Sequence, residues 1–303
     1  MSLPSKATII EVGPRDGLQN EKKFVPTHVK IQFISLLKEA GLSEIELTSF
    51  VSPKWVPQMK DAQQVIQAFS LQQPTNNRHI VLVPNEQGLT KALEENCQSV
   101  ALFIGVSNSF NQHNINKTTA EALHQQLPLM EKLKERNAYV RTCISTSFYC
   151  PYEGKINPDK TVELCAHFVE AGVTELSIAD TIGMANPKDV FTLFSALKRA
   201  FPTVLLNAHF HDTRGVAMAN IYACLQAGVT RFDSSAGGIG GCPFAKGATG
   251  NIATEDLIFM LDEMGVQTNV NREKILEAVS YIEPYLSHPV SSKQYRLYQL
   301  AKR

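Results

Sequence analysis

The sequence has no apolar run approaching the ~20 residues a helix needs to cross a bilayer, so no membrane-spanning helix is expected. It has no excess charge of either sign: Lys plus Arg and Asp plus Glu both number 29. That balance leaves no electrostatic footprint for nucleic acid or for an acidic membrane surface. No two of its six cysteines, at 97, 143, 150, 165, 224 and 242, form a CxxC pair. The expectation is free thiols, most of them small buried hydrophobes. Cys242 is the exception, because flanking glycines argue for a loop tip. The opening Met-Ser-Leu-Pro-Ser-Lys enters a strand almost at once. It leaves no room for a signal peptide or an Arg-rich presequence, and the closing Ala-Lys-Arg is no targeting tail. A cytoplasmic protein is expected, with no nucleic-acid and no membrane partner.

What is present is a repeated phrase. Glu39-Ala40-Gly41-Leu42-Ser43-Glu44-Ile45-Glu46 resembles Glu170-Ala171-Gly172-Val173-Thr174-Glu175-Leu176-Ser177, and both resemble Gln226-Ala227-Gly228-Val229-Thr230-Arg231-Phe232-Asp233. Each is a helix end, a Gly suited to the left-handed cap, a small polar residue and then a strand. A weaker copy around Cys97 places Asn96 where the others have Gly.

Between the copies, strands are expected near 7–12, 44–49, 79–83, 99–104, 139–146, 174–179, 204–210 and 230–235. Helices are expected near 28–40 (with Thr27 as cap), 60–70, 86–95, 118–136, 160–171, 187–200, 214–227 and 253–264. Eight strands, each followed by a helix, imply a parallel sheet. The count matches an α/β (β/α)8 TIM barrel, typically ~250 residues; an open doubly wound sheet is the competitor. One domain over 1–303 is expected, with the barrel about 7–265 and a C-terminal helical extension about 266–303. A helix over 272–286 begins that extension, and the polar tail from Ser287 has no assigned element.

The chemistry collects around residues 207 to 251. Val204-Leu205-Leu206 lead a strand into His209-Phe210-His211, and residues two apart on a strand face the same side. Two imidazoles therefore meet at one place, which suits a divalent metal. The following segment, Gly237-Gly238-Ile239-Gly240-Gly241-Cys242-Pro243, is too glycine-rich for a helix or strand interior and reads as a loop. Active sites of such barrels lie at the C-terminal ends of the strands. There the sequence places Arg15 and Asp16 (in Gly13-Pro14-Arg15-Asp16-Gly17), Glu46, Asp180, His209, His211, Cys242 and Asn251.

Structural alternatives stand beside these. Arg15-Asp16 before a Gly could be a salt-bridged turn. Asn251, after a Gly and before a helix, could be an N-cap. Asp180 could hold loop amides. Glu46, pointing into the barrel, needs a cationic or metal-linked partner, because a lone buried carboxylate is costly. One aspartate, two histidines and an asparagine carbonyl form a mixed O/N set suited to Mg2+ or Mn2+ rather than structural zinc.

These motifs carry a resemblance. Gly13 to Glu21, Thr48 to Met59, Cys150-Pro151-Tyr152-Glu153-Gly154, Asp180-Thr181-Ile182-Gly183, His209-Phe210-His211-Asp212-Thr213 and Gly237 to Glu255 closely resemble the 3-hydroxy-3-methylglutaryl-CoA lyase family. The resemblance spans nearly the whole chain. It implies divalent-metal-dependent cleavage of that acyl-CoA into acetyl-CoA and acetoacetate, as in leucine degradation and ketone-body formation. It implies Asp16, His209, His211 and Asn251 as metal ligands, and Arg15 as the group holding the substrate carbonyl and enolate oxygen. Glu46 and Asp180 become supporting active-site acids, and Cys242 the catalytic cysteine on a mobile loop. Asp16 and His209 both stay open as the general base. Gln19 and Asn20 are candidate substrate contacts, with Lys22 and Lys23 near enough to consider for CoA. A homodimer is expected. Animal members carry a mitochondrial presequence and a cysteine near the C-terminus; this chain has neither, which points to a bacterial-type enzyme. The runner-up is a lyase or Claisen-type enzyme acting on a related 3-hydroxyacyl-CoA.

Overall fold

The structure is a computed structural model describing residues 3–70, 77–241 and 250–302. Its strands, in chain order, are β1 (Thr8–Glu11), β2 (Glu44–Ser49), β3 (Arg78–Leu82), β4 (Ser99–Gly105), β5 (Tyr139–Ser145), β6 (Tyr149–Cys150), β7 (Gly154–Lys155), β8 (Glu175–Asp180), β9 (Leu205–Phe210) and β10 (Arg231–Ser234). Eight of them close in the order β1-β10-β9-β8-β5-β4-β3-β2, every neighbouring pair parallel. The chain is a (β/α)8 barrel, and closure excludes the open sheet. β6 and β7 form a separate antiparallel hairpin in the Cys150–Gly154 motif, which the strand pattern did not anticipate.

The helices are α1 (Thr27–Glu39), α2 (Ala62–Ser70), α3 (Glu86–Glu94), α4 (Asn108–Ile115), α5 (Thr119–Lys134), α6 (Pro158–Glu170), α7 (Pro187–Ala200), α8 (Ala217–Gln226), α9 (Thr254–Glu263), α10 (Arg272–Ile282) and α11 (Lys293–Ala301). The repeated phrase makes the same turn each time. Gly41, Gly172 and Gly228 sit at φ of 99°, 90° and 77°, and Asn96 at 57°, so all four occupy the left-handed cap. Three local expectations are corrected. Thr27 is the first residue of α1 and makes no side-chain cap; Pro26 precedes it, its φ already fixed. The 272–286 helix stops at Ile282 and tightens into a 3₁₀ turn around Pro284. The polar tail folds into α11, capped by the Ser292 hydroxyl. Among the described residues, barrel and extension pack on one principal core.

Most apolar side chains lie between the strands and the surrounding helices. The barrel interior is divided. Ile10, Val12, Ile80, Leu82 and Ala101 make a small apolar cluster on one side. Facing it are residues two apart on five strands: Glu44 and Glu46, Arg141 and Cys143, Glu175 and Ser177, Asn207 and His209, Arg231 and Asp233. Four described cysteines (97, 150, 165, 224) are buried, and Cys143 is half-buried. Burial pushes the Cys97 and Cys143 thiols up to about 12, so both are inert at neutral pH.

Candidate active site

Arg15 and Asp16 owe their position to a wide turn. β1 ends at Glu11, and Gly13–Gly17 coils as one turn of π-helix. The Val12 carbonyl accepts from the Asp16 amide at 2.7 Å and from the Gly17 amide at 3.2 Å. Such bulges recur at functional sites because they redirect side chains. Here two adjacent charged residues are aimed over the mouth of the barrel.

Arg15 is buried and donates in two directions, from Nε to Glu46 Oε1 at 2.5 Å and from Nη1 to Asp16 Oδ1 at 2.7 Å. Burial works against its charge, but Glu46 and then Asp16 outweigh that and hold the guanidinium firmly cationic. Glu46 thus has its cationic partner. Gln19 donates from Nε2 to Asp16 Oδ1 at 2.8 Å.

With Oδ1 held by Arg15 and Gln19, Asp16 turns Oδ2 toward the histidines. Its Oδ2 lies 4.0 Å from Nε2 of both His209 and His211, and those two nitrogens are 3.3 Å apart. The three residues form the cluster of possible metal-binding groups found among the described residues. A triangle with these edges has its centre about 2.2 Å from each corner, near the 2.0–2.1 Å of Mg–O and metal–imidazole bonds. The donor set therefore fits a divalent cation in size and in chemistry.

Asn251 is not an N-cap: Ala253 precedes α9. It reaches the site by pairing with His211 in an isolated bridge, and its Nδ2 donates to Asp16 Oδ2 at 2.8 Å and to Ile239 O at 3.3 Å. The expected ligand atom was its carbonyl. The structure presents the amide nitrogen, and a half-turn of the near-symmetric amide brings Oδ1 to the same point. Gly240, at φ 119°, allows the approach: a Cβ there would lie 2.9 Å from Asn251 Nδ2.

The electrostatics divide the two imidazoles. Burial raises the Asp16 pKa, but Arg15, the two histidines and the Asn251 bond together bring it down to about 2. His211 is pushed down to about 4 by burial, then by His209, so it is neutral. Burial also disfavours protonated His209, yet the bond and the charge of Asp233 win and shift it up. Nδ1 of His209 lies 3.0 Å from Asp233 Oδ2, while Nδ1 of His211 has no hydrogen-bond partner.

Asp180 ends β8. Its carboxylate accepts from the Met184 and Ala185 amides at 3.0 and 2.8 Å, holding the turn after β8, and burial raises its pKa to about 6. Asn20 donates to the Gly241 carbonyl at 2.7 Å. Lys22 and Lys23 are exposed nearby in sequence. Cys242 lies outside the described residues. The residues that sequence reasoning missed are Asp233, Arg141 and Ser177. Charged residues at alternating positions within apolar strands were the available signal.

The chain matches the HMGL-like family over residues 6–282. It is 44% identical to the hydroxymethylglutaryl-CoA lyase YngG of Bacillus subtilis (strain 168), over 99% of each chain. It is 44% identical to the human mitochondrial hydroxymethylglutaryl-CoA lyase, over 96% of this chain and 89% of that one. The solved Acinetobacter baumannii HMG-CoA lyase, in complex with coenzyme A and 3-methylmalate, superposes with a TM-score of 0.91 at 34% identity, covering 98% of this chain and 96% of that one.

Proposed function

The chain belongs to the HMGL-like family, and on that premise we propose that it cleaves 3-hydroxy-3-methylglutaryl-CoA to acetyl-CoA and acetoacetate at the rim where Asp16, His209 and His211 converge. That convergence beside a buried Arg15 is the observation that carries the reading. Full-length likeness to hydroxymethylglutaryl-CoA lyases supports the substrate.

Asp16, His209, His211 and, through Oδ1, Asn251 would hold Mg2+ or Mn2+. Bound there, the cation supplies positive charge that makes a substrate hydroxyl more acidic and lowers the cost of charge on oxygen. Asp16, held near 2, stays anionic at working pH and so remains a ligand. Asp16 and His209 are the two candidate bases, and both belong to the cluster that would hold the cation. When the carbon–carbon bond breaks, the electron pair passes toward the thioester carbonyl oxygen. Arg15 uses Nε and Nη1 on Glu46 and Asp16, leaving Nη2 as the donor for that oxygen.

The enolate carbon then needs a proton, and Cys242 is the proposed donor. Support comes from its chain neighbour: Gly241 is tied by Asn20 to the turn that carries Arg15 and Asp16. Gln19 and Asn20, expected as substrate contacts, hold Asp16 and Gly241 and so shape the rim. Purified chain with hydroxymethylglutaryl-CoA and Mg2+ or Mn2+ is expected to release acetoacetate. No acetoacetate with either metal would defeat the reading.

A further inference from the structure

The barrel interior below the site carries a chain of polar contacts that the reaction as described leaves unused. Asp233, on β10, is buried. Its Oδ2 accepts three bonds: from Arg141 Nη2, from the Ser177 hydroxyl at 3.1 Å, and from His209 Nδ1 at 3.0 Å. Ser177 is itself fixed, since its oxygen accepts from Arg141 Nη2 at 2.8 Å and from Asn207 Nδ2 at 2.9 Å. Arg141 is fully buried and also lies 3.3 Å from Glu175 through Nε. The sheet register sets this up. β10 and β9 align Asp233 with His209, while β5 and β8 align Arg141 with Glu175 and Cys143 with Ser177. Four strands thus meet at one carboxylate oxygen.

We propose that Asp233, held by Arg141 and Ser177, is the positioning residue for His209: it accepts the hydrogen bond from Nδ1–H, so that the Nε2 lone pair faces Asp16 and His211. The assignment rests on the cation site proposed above. The two imidazoles are unequal in this respect. His211 Nδ1 has no partner, so the Asp16–His211 edge is set by backbone and packing alone. An outer carboxylate of this kind typically changes metal affinity 10–100-fold.

The test is Mn2+ binding without substrate, followed by electron paramagnetic resonance of the free ion. The variants are Asp233→Asn, Ser177→Ala and His209→Ala, beside the wild-type chain. Wild type binds, His209→Ala loses binding, and Asp233→Asn weakens it on the order of 10–100-fold. Ser177→Ala leaves both charges in place and weakens binding about 2–10-fold, the worth of one hydrogen bond. Imidazole 15N shifts give a second readout: wild-type His209 carries its proton on Nδ1, and Asp233→Asn populates both tautomers. If Asp233→Asn does not fold, the wild-type tautomer and Ser177→Ala decide the matter. Wild-type binding with unchanged affinity in the folded variants, or an Nε2-protonated His209, overturns this assignment alone. A wild-type chain that binds no Mn2+ overturns the cation site beneath it.

Discussion

Glu46 Oε1 lies 2.5 Å from Arg15 Nε, and the same guanidinium reaches Asp16 Oδ1 at 2.7 Å. One cation therefore ties an acid on β2 to the acid that faces the histidines. Glu46 is fully buried and its Oε2 has no hydrogen-bond partner, so Arg15 is its principal compensation. Glu46→Gln is expected to lower kcat by roughly 10–100-fold, since a bond to a charged group is worth about 1.5–3 kcal/mol. Arg15→Lys loses the planar fork and should cost more, on the order of 10²–10³-fold. Steady-state kinetics check both. Near-wild-type kcat in Arg15→Lys would remove the argument from fork geometry.

Gly241 is anchored by Asn20, and Gly250 is bonded through its carbonyl to the Asp212 amide at 3.1 Å. Both described ends of the Cys242 segment are therefore fixed near the rim. Cys242→Ser is expected to lower kcat by roughly 10²–10⁴-fold, the range for removing a proton-transfer group. Mn2+ affinity should be unchanged, because no thiolate is needed in the ligand set. Kinetics and metal titration on the same preparation separate the effects; full activity in the variant would end the proton-donor assignment.

At Gly240 the backbone does work that a side chain would undo. Its φ of 119° is strained for any L-residue, and a Cβ would lie 2.9 Å from Asn251 Nδ2. Gly240→Ala should cost about 1–3 kcal/mol of stability and push Asn251 off Asp16. Thermal melts and Mn2+ titration should both report it. A variant as stable and as avid as wild type would show that Asn251 is not held by this close approach.

Glu11 joins the end of β1 to the loop after β10. Its carboxyl accepts from the Gly13 amide at 2.8 Å, the Ala236 amide at 2.9 Å and the Thr254 hydroxyl at 2.7 Å. Burial nonetheless raises its pKa from 4.5 to about 8, and Glu255 nearby, itself raised to about 7, adds to the effect. The folded chain therefore holds a proton that the unfolded chain releases. The stabilisation is fully present below pH 4.5 and is lost as pH rises through 8. The melting temperature should fall between pH 5 and 8, and Glu11→Gln should flatten that slope by a shift on the order of 5 °C. Calorimetry across the range tests it; an identical slope in the variant would rule out Glu11 as the source.

Much of this was written locally in the chain. The helix–Gly–strand phrase fixed the alternation of elements, because a left-handed cap depends on one residue's conformational freedom. The spacing of His209 and His211 put both on one strand face, because alternation is a property of the extended backbone. Less was legible where backbone geometry departs from a regular period. The π turn at Gly13–Gly17, the β6–β7 hairpin and helix α4 left no hydrophobic repeat to read.

By itself the sequence determined the eightfold alternation, the strand-end placement of Arg15, Asp16 and His209, and the family resemblance. Only the closed barrel decided which polar groups meet. It brings Asn251 to Asp16 across 235 residues and Asp233 to Arg141 across 92. Periodicity tells a side chain which way to face; closing the ring in one register tells it whom it faces, and that register is a property of all eight strands at once.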